Sequence, residues 1–185
     1  MRIAVYSGSF NPLHKGHLAI LQALAAEPSL DWTYMVVSPK NPLKEGISAD
    51  SGSQRYREAL KAVGRHQGLR TWVDDIELGM APPQYTIRTL DAMKEREPGN
   101  DYVLVIGADN LADIRRWRQY ARILSEYGAI VYPREGFDLG SIKEDLLSED
   151  PSYKIELINA PMVNISSTAI REGLERGEDM SEWLM

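Results

Sequence analysis

Short runs of apolar residues alternate along the chain with stretches in which apolar residues recur at helical spacing. The first apolar run, residues 2–6, ends at Ser7 and Gly8, as is typical of a buried strand followed by a turn. By the same criteria we predict strands at residues 2–6, 32–37, 70–74, 102–106, 129–132 and 154–158. We predict helices at residues 17–26, 53–65, 85–96, 116–126, 141–147 and 168–176, and a long loop at residues 38–53.

Alternation of strands and helices predicts right-handed crossover connections and a parallel sheet. The expected fold class is α/β, a Rossmann-like doubly wound sheet with helices on both faces. No internal repeat or linker divides the chain, so residues 1–185 are expected to form a single domain. In such sheets ligands bind at the carboxyl ends of the strands. We therefore expect the ligand-binding residues in the segments after residues 6, 37, 106 and 158.

The composition excludes several function classes. There is no Cys, which rules out a disulfide framework, a zinc finger and a thiol nucleophile. The net charge of -6 disfavours a protein that grips nucleic acid over a broad face. No apolar run is long enough for a membrane-spanning helix, and the first residues do not resemble a signal peptide. We therefore expect a cytoplasmic protein with neither a nucleic-acid partner nor a membrane partner.

The segment after the first strand contains two of the three histidines. His14 and His17 flank Gly16 where the chain enters the first helix, a position that suits phosphate because helix N-termini carry unpaired N–H groups. The segment matches neither a Walker A loop nor the dinucleotide-binding glycine pattern. The usual alternative is that such histidines are solvated or have their hydrogen bonds satisfied within the protein. A metal site would need further ligands, and His66 lies in a separate helix. We therefore expect the pair to donate hydrogen bonds to phosphate.

Three hydroxyl residues, Ser166, Ser167 and Thr168, precede the last helix, and Arg171 follows within one turn. The common role of Ser or Thr at such a place is to cap the helix, but a cap needs one hydroxyl rather than three. Together with the helix amides and the Arg171 guanidinium, these hydroxyls could hold a polyphosphate. The sequence thus predicts a second phosphate-binding segment.

In these two segments the chain resembles the HxGH nucleotidyltransferases, in particular the bacterial nicotinate-nucleotide adenylyltransferases. Four motifs carry the resemblance, and they match nearly end to end: SGSFNPLHKGH, PQYTIRTL, IGADNL followed by Trp117, and ISSTAIR. The resemblance implies adenylyl transfer from ATP to nicotinate mononucleotide, which gives nicotinate adenine dinucleotide and pyrophosphate in NAD biosynthesis. Mg²⁺ is expected to arrive with ATP and to contact phosphate oxygens mostly through water. Whether the protein is a homo-oligomer stays open.

The resemblance also implies roles for individual residues. Those implied to be catalytic are His14, His17, Lys44 and Arg171. Those implied to bind ATP are Gly8, Ser9, Phe10, His17, Lys40, Gly107, Asp109, Ser167, Thr168 and Arg171. Those implied to bind nicotinate mononucleotide are Tyr85, Thr86, Trp117 and Arg134. Structural alternatives remain for some of them: Trp117 could be core packing, Asp109 a helix cap, and Lys40 and Lys44 ordinary loop charges.

The chain departs from the usual family pattern at Ser7, Ser9, Asn11, Leu43, Arg88 and Glu135. None of these departures removes an implied catalytic group, but Arg88 adds positive charge near the expected carboxylate site and leaves the choice of acceptor open. The alternatives are transfer to nicotinamide mononucleotide or phosphopantetheine, or a nucleotide-binding module without catalysis.

Overall fold

The structure is a computed structural model that describes residues 1–39 and 51–185. Six parallel strands form one sheet in the order β3-β2-β1-β4-β5-β6. The strands are β1 (Arg2–Gly8), β2 (Trp32–Val37), β3 (Thr71–Asp74), β4 (Asp101–Gly107), β5 (Ala129–Tyr132) and β6 (Ile155–Leu157). The six predicted strands and their parallel pairing are confirmed.

Helices connect the strands and cover the sheet. They are α1 (Lys15–Ala26), α2 (Ser51–Gly64), α3 (Thr86–Arg96), α4 (Ala108–Ala112), α5 (Tyr120–Arg122), α6 (Leu139–Glu149) and α7 (Ser167–Glu175). Short 3₁₀ turns lie at Ile76–Gly79, Ile114–Arg116 and Ser181–Trp183. Within the described ranges, no helix combines the length and apolar character needed to cross a membrane.

The sheet buries both of its faces, as a doubly wound fold requires. Alternate residues of β1 serve the two faces: Ala4 and Tyr6 pack with α1 and α2, whereas Ile3 and Val5 pack with α3 and α6. Because each strand lies between two apolar layers, its sequence reads as a continuous apolar run rather than an alternation. The predicted fold class, with helices on both faces, is confirmed.

The predicted helix at residues 116–126 is wrong in its first part. Residues 114–116 form a 3₁₀ turn, and Trp117 is extended with φ -77° and ψ 142°. Gln119 adopts a left-handed conformation with φ 50°, which an α-helix cannot accommodate. The helix therefore begins only at Tyr120, as α5, and widens into a π turn over Ile123–Tyr127. The apolar periodicity of this segment reflects packing against the sheet by an irregular chain.

Candidate active site

A cleft of about 830 Å³ opens at the carboxyl ends of β1, β4 and β5. Its walls include residues 6–10 at the end of β1, residues 132–135 at the end of β5, and residues 160–167 before α7. The connections from β1 and β4 leave toward opposite faces of the sheet, which creates the crevice in which such folds bind ligands. A smaller cavity of about 350 Å³ at the opposite end of the sheet contains none of the predicted site residues.

The two histidines stand together at the start of α1. His14 caps the helix: its Nδ1 accepts a hydrogen bond from the Gly16 amide at 3.0 Å. The His17 Nδ1 accepts one from the His14 amide at 3.1 Å. The two rings stack with centroids 3.8 Å apart, and both line the cleft. Since each Nδ1 accepts from an amide, the proton of each neutral ring must sit on Nε2, which is then free to donate.

Burial keeps both rings neutral. Burial, together with the neighbouring His14 and Arg134, lowers the pKa of His17 to about 3. Burial also lowers the pKa of His14 to about 4, again with help from the positive charge of Arg134. At neutral pH the pair therefore offers two N–H donors without positive charge, whereas the sequence alone left the charge of the pair open.

Gly16 is required by the geometry of the pair. A Cβ at this position would lie 2.8 Å from Cε1 and 2.9 Å from Nδ1 of the His14 ring. Gly107, the last residue of β4, is constrained in the same way, because a Cβ there would lie 2.6 Å from Oδ1 of Asp109 and 3.0 Å from the Tyr132 ring. Each glycine thus allows a cleft-lining side chain to lie close to the backbone.

Asp109 and Arg134 face each other across one wall of the cleft. The Arg134 Nε lies 3.7 Å from the Asp109 Oδ1, and its guanidinium carbon lies 5.5 Å from the centre of the Tyr132 ring. The Asp109 Oδ1 is buried and has no hydrogen-bond partner among the described residues. Arg134 therefore lies beside the histidines and Asp109, although the resemblance implied that it binds the mononucleotide.

The N-terminus of α7 fastens the turn that leads to the histidines. Ser166 caps the helix by accepting from the Ala169 amide at 3.1 Å. The Ser167 hydroxyl donates to the Pro12 carbonyl at 3.0 Å. Arg171 donates to the Asn11 carbonyl at 2.5 Å and to the Thr168 hydroxyl. The two predicted phosphate segments are thus in contact, and their polar groups bond to each other in this structure.

Three residues implied to bind the mononucleotide lie apart from the histidines. Tyr85 and Thr86 mark the start of α3, and Trp117 is half-buried against the core beside that helix. The Arg118 guanidinium stacks on the Tyr85 ring at 5.3 Å, so the two segments meet. None of the three residues lines the 830 Å³ cleft.

Arg88, which departs from the family pattern, donates to the carbonyls of Ala81 and Pro83 and so braces the turn before α3. Lys40 and Lys44 lie outside the described residues.

The family described as cytidylyltransferase-like matches residues 5–173. The chain belongs to this family. It is 36% identical over 184 residues to a probable nicotinate-nucleotide adenylyltransferase of Flavobacterium johnsoniae, covering 100% of this chain and 92% of the relative. It is also 36% identical to the Bacteroides thetaiotaomicron protein of the same name, covering 87% of that relative. The predicted membership of the nucleotidyltransferases is confirmed.

Among solved structures, the fold is similar to that of the Plasmodium falciparum nicotinic acid mononucleotide adenylyltransferase complexed with NaAD. The TM-score is 0.79 at 21% identity, and the match covers 99% of this chain and 90% of the other. A second structure of that enzyme, complexed with APC, gives a TM-score of 0.76 at 20% identity. This likeness confirms the fold of the nucleotidyltransferase.

Sequence reasoning missed several residues around the cleft of this nucleotidyltransferase. Tyr132 is the last residue of β5 and lies two positions before the predicted Arg134, so the strand-end rule could have found it. The segment 160–163 lines the cleft without any charged or motif residue that would single it out. Leu184 forms a backbone bridge with His14, and Met185 donates to the Leu13 carbonyl. These contacts join distant parts of the chain, and no local pattern predicts them.

Proposed function

We propose that this nucleotidyltransferase transfers the adenylyl group of ATP to nicotinate mononucleotide. A 5′-phosphate oxygen of the mononucleotide bonds to the α-phosphorus of ATP as the bond from that phosphorus to the bridging α–β oxygen breaks. The products are nicotinate adenine dinucleotide and pyrophosphate, which keeps the electron pair of the broken bond. The names of the full-length relatives support this acceptor.

The observation that carries the proposal is the neutral histidine pair. The nucleophile is already an anion, so the reaction needs positioning and charge stabilisation rather than a strong base. His14 and His17 have their Nδ1 atoms occupied by amides, which leaves both Nε2–H groups to donate to phosphate oxygens. Because their pKa values lie far below 7, the rings stay in this donor form throughout the physiological range.

The remaining polar groups would hold the rest of ATP. Gly8, Ser9 and Phe10 line the cleft beside the histidines, and Ser167 lines it from α7. Arg171 lies behind Asn11 and Thr168, from which it could turn toward a triphosphate. Lys40 and Lys44 keep their proposed roles on the phosphates. Further ATP contacts are proposed for Gly107 and Asp109.

Mg²⁺ would enter with ATP and neutralise part of the phosphate charge. Within residues 1–39 and 51–185, no three acidic or histidine side chains group to hold a metal. A cation held mainly by phosphate oxygens and water needs few protein ligands, so Mg²⁺ could bind here together with ATP. Asp109, whose buried Oδ1 has no hydrogen-bond partner in the described part of the chain, is the residue we propose to orient such water.

The nicotinate end of the acceptor would lie beside the start of α3. Tyr85, Thr86 and Trp117 supply aromatic surface and backbone amides there, and Arg118 adds positive charge over the Tyr85 ring. A nicotinate carboxylate suits such a place better than an uncharged amide does. Arg134, on the shared wall with Asp109, would contact the mononucleotide phosphate. The proposal includes a cytoplasmic location, where ATP is made and used.

Pyrophosphate release tests the acceptor directly. Purified protein with ATP and Mg²⁺ is given nicotinate mononucleotide, nicotinamide mononucleotide, phosphopantetheine or no acceptor in parallel reactions. We expect fast release with nicotinate mononucleotide and release at least about tenfold slower with its amide, because the amide lacks a charged contact. Equal or faster release with another acceptor would contradict the proposed substrate, and no release with any acceptor would indicate a binding module.

A further inference from the structure

Arg55 is a buried cation beneath the phosphate side of the cleft. It lies on α2 and is 3% exposed. Its Nη1 donates to two backbone carbonyls, those of Ser9 and Ser38, each at 2.7 Å. Its bonds in the described part of the chain are thus to neutral oxygens, and its Nε and Nη2 have no partner there. Burial accordingly lowers its pKa.

The two carbonyls belong to neighbouring strands at the point where their ladder ends. β1 and β2 pair as far as Gly8 and Val37, and the Ser38 amide then donates to the Gly8 carbonyl at 2.9 Å. Arg55 continues this pairing beyond the ladder, because it joins Ser9 to Ser38 where their backbones no longer bond to each other. It therefore ties the cleft-lining turn after β1 to the end of β2.

The direction of the Ser9 carbonyl determines the direction of the next amide. The peptide between Ser9 and Phe10 is not among the cis bonds, and in a planar trans peptide the C=O and the N–H point to opposite sides. With the carbonyl held toward Arg55, the Phe10 N–H points away from α2. Phe10 itself has φ 48°, a conformation that needs support from its surroundings.

We propose that Arg55 is a positioning residue for adenylyl transfer. It fixes the peptide between Ser9 and Phe10 so that the Phe10 N–H is presented to the phosphates. Arg55 touches no substrate in this arrangement and acts through the backbone of the turn. The inference rests on the proposed function and adds a residue that the sequence motifs do not contain.

If Arg55 only stabilised the fold, its removal would lower activity in step with the folded fraction. In the described part of the chain Arg55 bonds only to carbonyls. A buried cation held in this way is costly to desolvate, and an apolar replacement of similar length is often neutral or stabilising. Ser9 is exposed, so water can satisfy its carbonyl when Arg55 is removed. Arg55→Met is therefore expected to fold with a melting temperature close to that of the parent while the turn loses its fixed direction.

The test compares Arg55→Met, Arg55→Lys and the control Arg57→Met, an exposed arginine on the same helix. Misplacement of phosphate donors by about 1 Å can lower turnover about 100-fold. We expect Arg55→Met to lose about 10- to 100-fold in kcat/KM for ATP, with the KM for nicotinate mononucleotide changed less than twofold. Arg55→Lys should recover most of the loss, because one nitrogen makes both bonds. Arg57→Met should match the parent.

Two further readouts separate the explanations. In Arg55→Met the amide NMR resonance of Phe10 should shift, and the affinity for ATP measured by calorimetry should fall. Neither measurement depends on turnover. If Arg55→Met does not fold, Arg55→Gln takes its place in the same comparison. Parent-like kcat/KM for ATP in a folded variant, or a loss that only follows the folded fraction, would overturn the proposal. The proposed function is tested separately, by the rate at which the parent protein transfers the adenylyl group to nicotinate mononucleotide.

Discussion

Acidification should destabilise the protein through its two buried histidines. An imidazole in the unfolded chain titrates near 6.5, whereas burial lowers the pKa of His14 to about 4 and of His17 to about 3. Between these values the unfolded chain binds more protons than the folded protein does, so the free energy of unfolding falls as the pH falls. The loss begins near pH 6.5 and is complete near pH 3.

The size of the effect follows from the shift. Each pH unit below 6.5 is worth about 1.4 kcal/mol per ring until the folded pKa is reached, so pH 5 costs about 2 kcal/mol per ring. The pair should therefore contribute a loss of about 3–4 kcal/mol between pH 7 and pH 5. Because both folded values lie below 5, the result depends little on their exact position.

Urea unfolding at pH 7, 6 and 5 measures this loss in the parent and in a double variant, His14→Asn with His17→Asn. The Asn Oδ1 takes the position of Nδ1, so the variant keeps both amide contacts but cannot titrate. We expect the double variant to lose about 3–4 kcal/mol less than the parent over this range, and each single variant about half of that difference. Equal pH dependence in parent and double variant would refute the claim that the folded rings are neutral.

Two further variants test the surroundings of the pair. Gly16→Ala places a methyl group 2.8 Å from the His14 ring and should lower kcat at least about tenfold at near-parent ATP affinity; parent-like kcat would show that the ring position is not critical. Arg134→Gln removes a positive charge that lowers the pKa of both histidines, so NMR titration should give higher values for His14 and His17. Unchanged values would show that Arg134 does not contribute to them.

The strands and the histidine pair could be predicted because their signals are local. A strand buried on both faces, such as residues 102–106, appears as an unbroken apolar run. The strand-end rule then directs attention to His14 and His17, which lie within one short segment. The sequence was enough to predict that the two side chains face one pocket, whereas the capping by His14 and the close approach at Gly16 emerged from the structure.

Other features depend on contacts between distant residues. Arg55 appears in the sequence as one more basic residue on a helix, and only the fold places it under Ser9 and Ser38. The charge state of His17 depends on burial and on Arg134, which lies more than a hundred positions away. The first part of the predicted helix at residues 116–126 was wrong because an apolar period does not reveal the left-handed conformation of Gln119.

The central claim is that neutral histidines in this cleft promote adenylyl transfer to nicotinate mononucleotide. The most direct measurement is the rate of nicotinate adenine dinucleotide formation by the parent, by His17→Ala and by the control His66→Ala. Loss of one preorganised donor should lower the His17→Ala rate about 100- to 1000-fold, with the fold intact by circular dichroism, while His66→Ala keeps the parent rate. A folded His17→Ala protein that forms the dinucleotide at the parent rate would contradict the account.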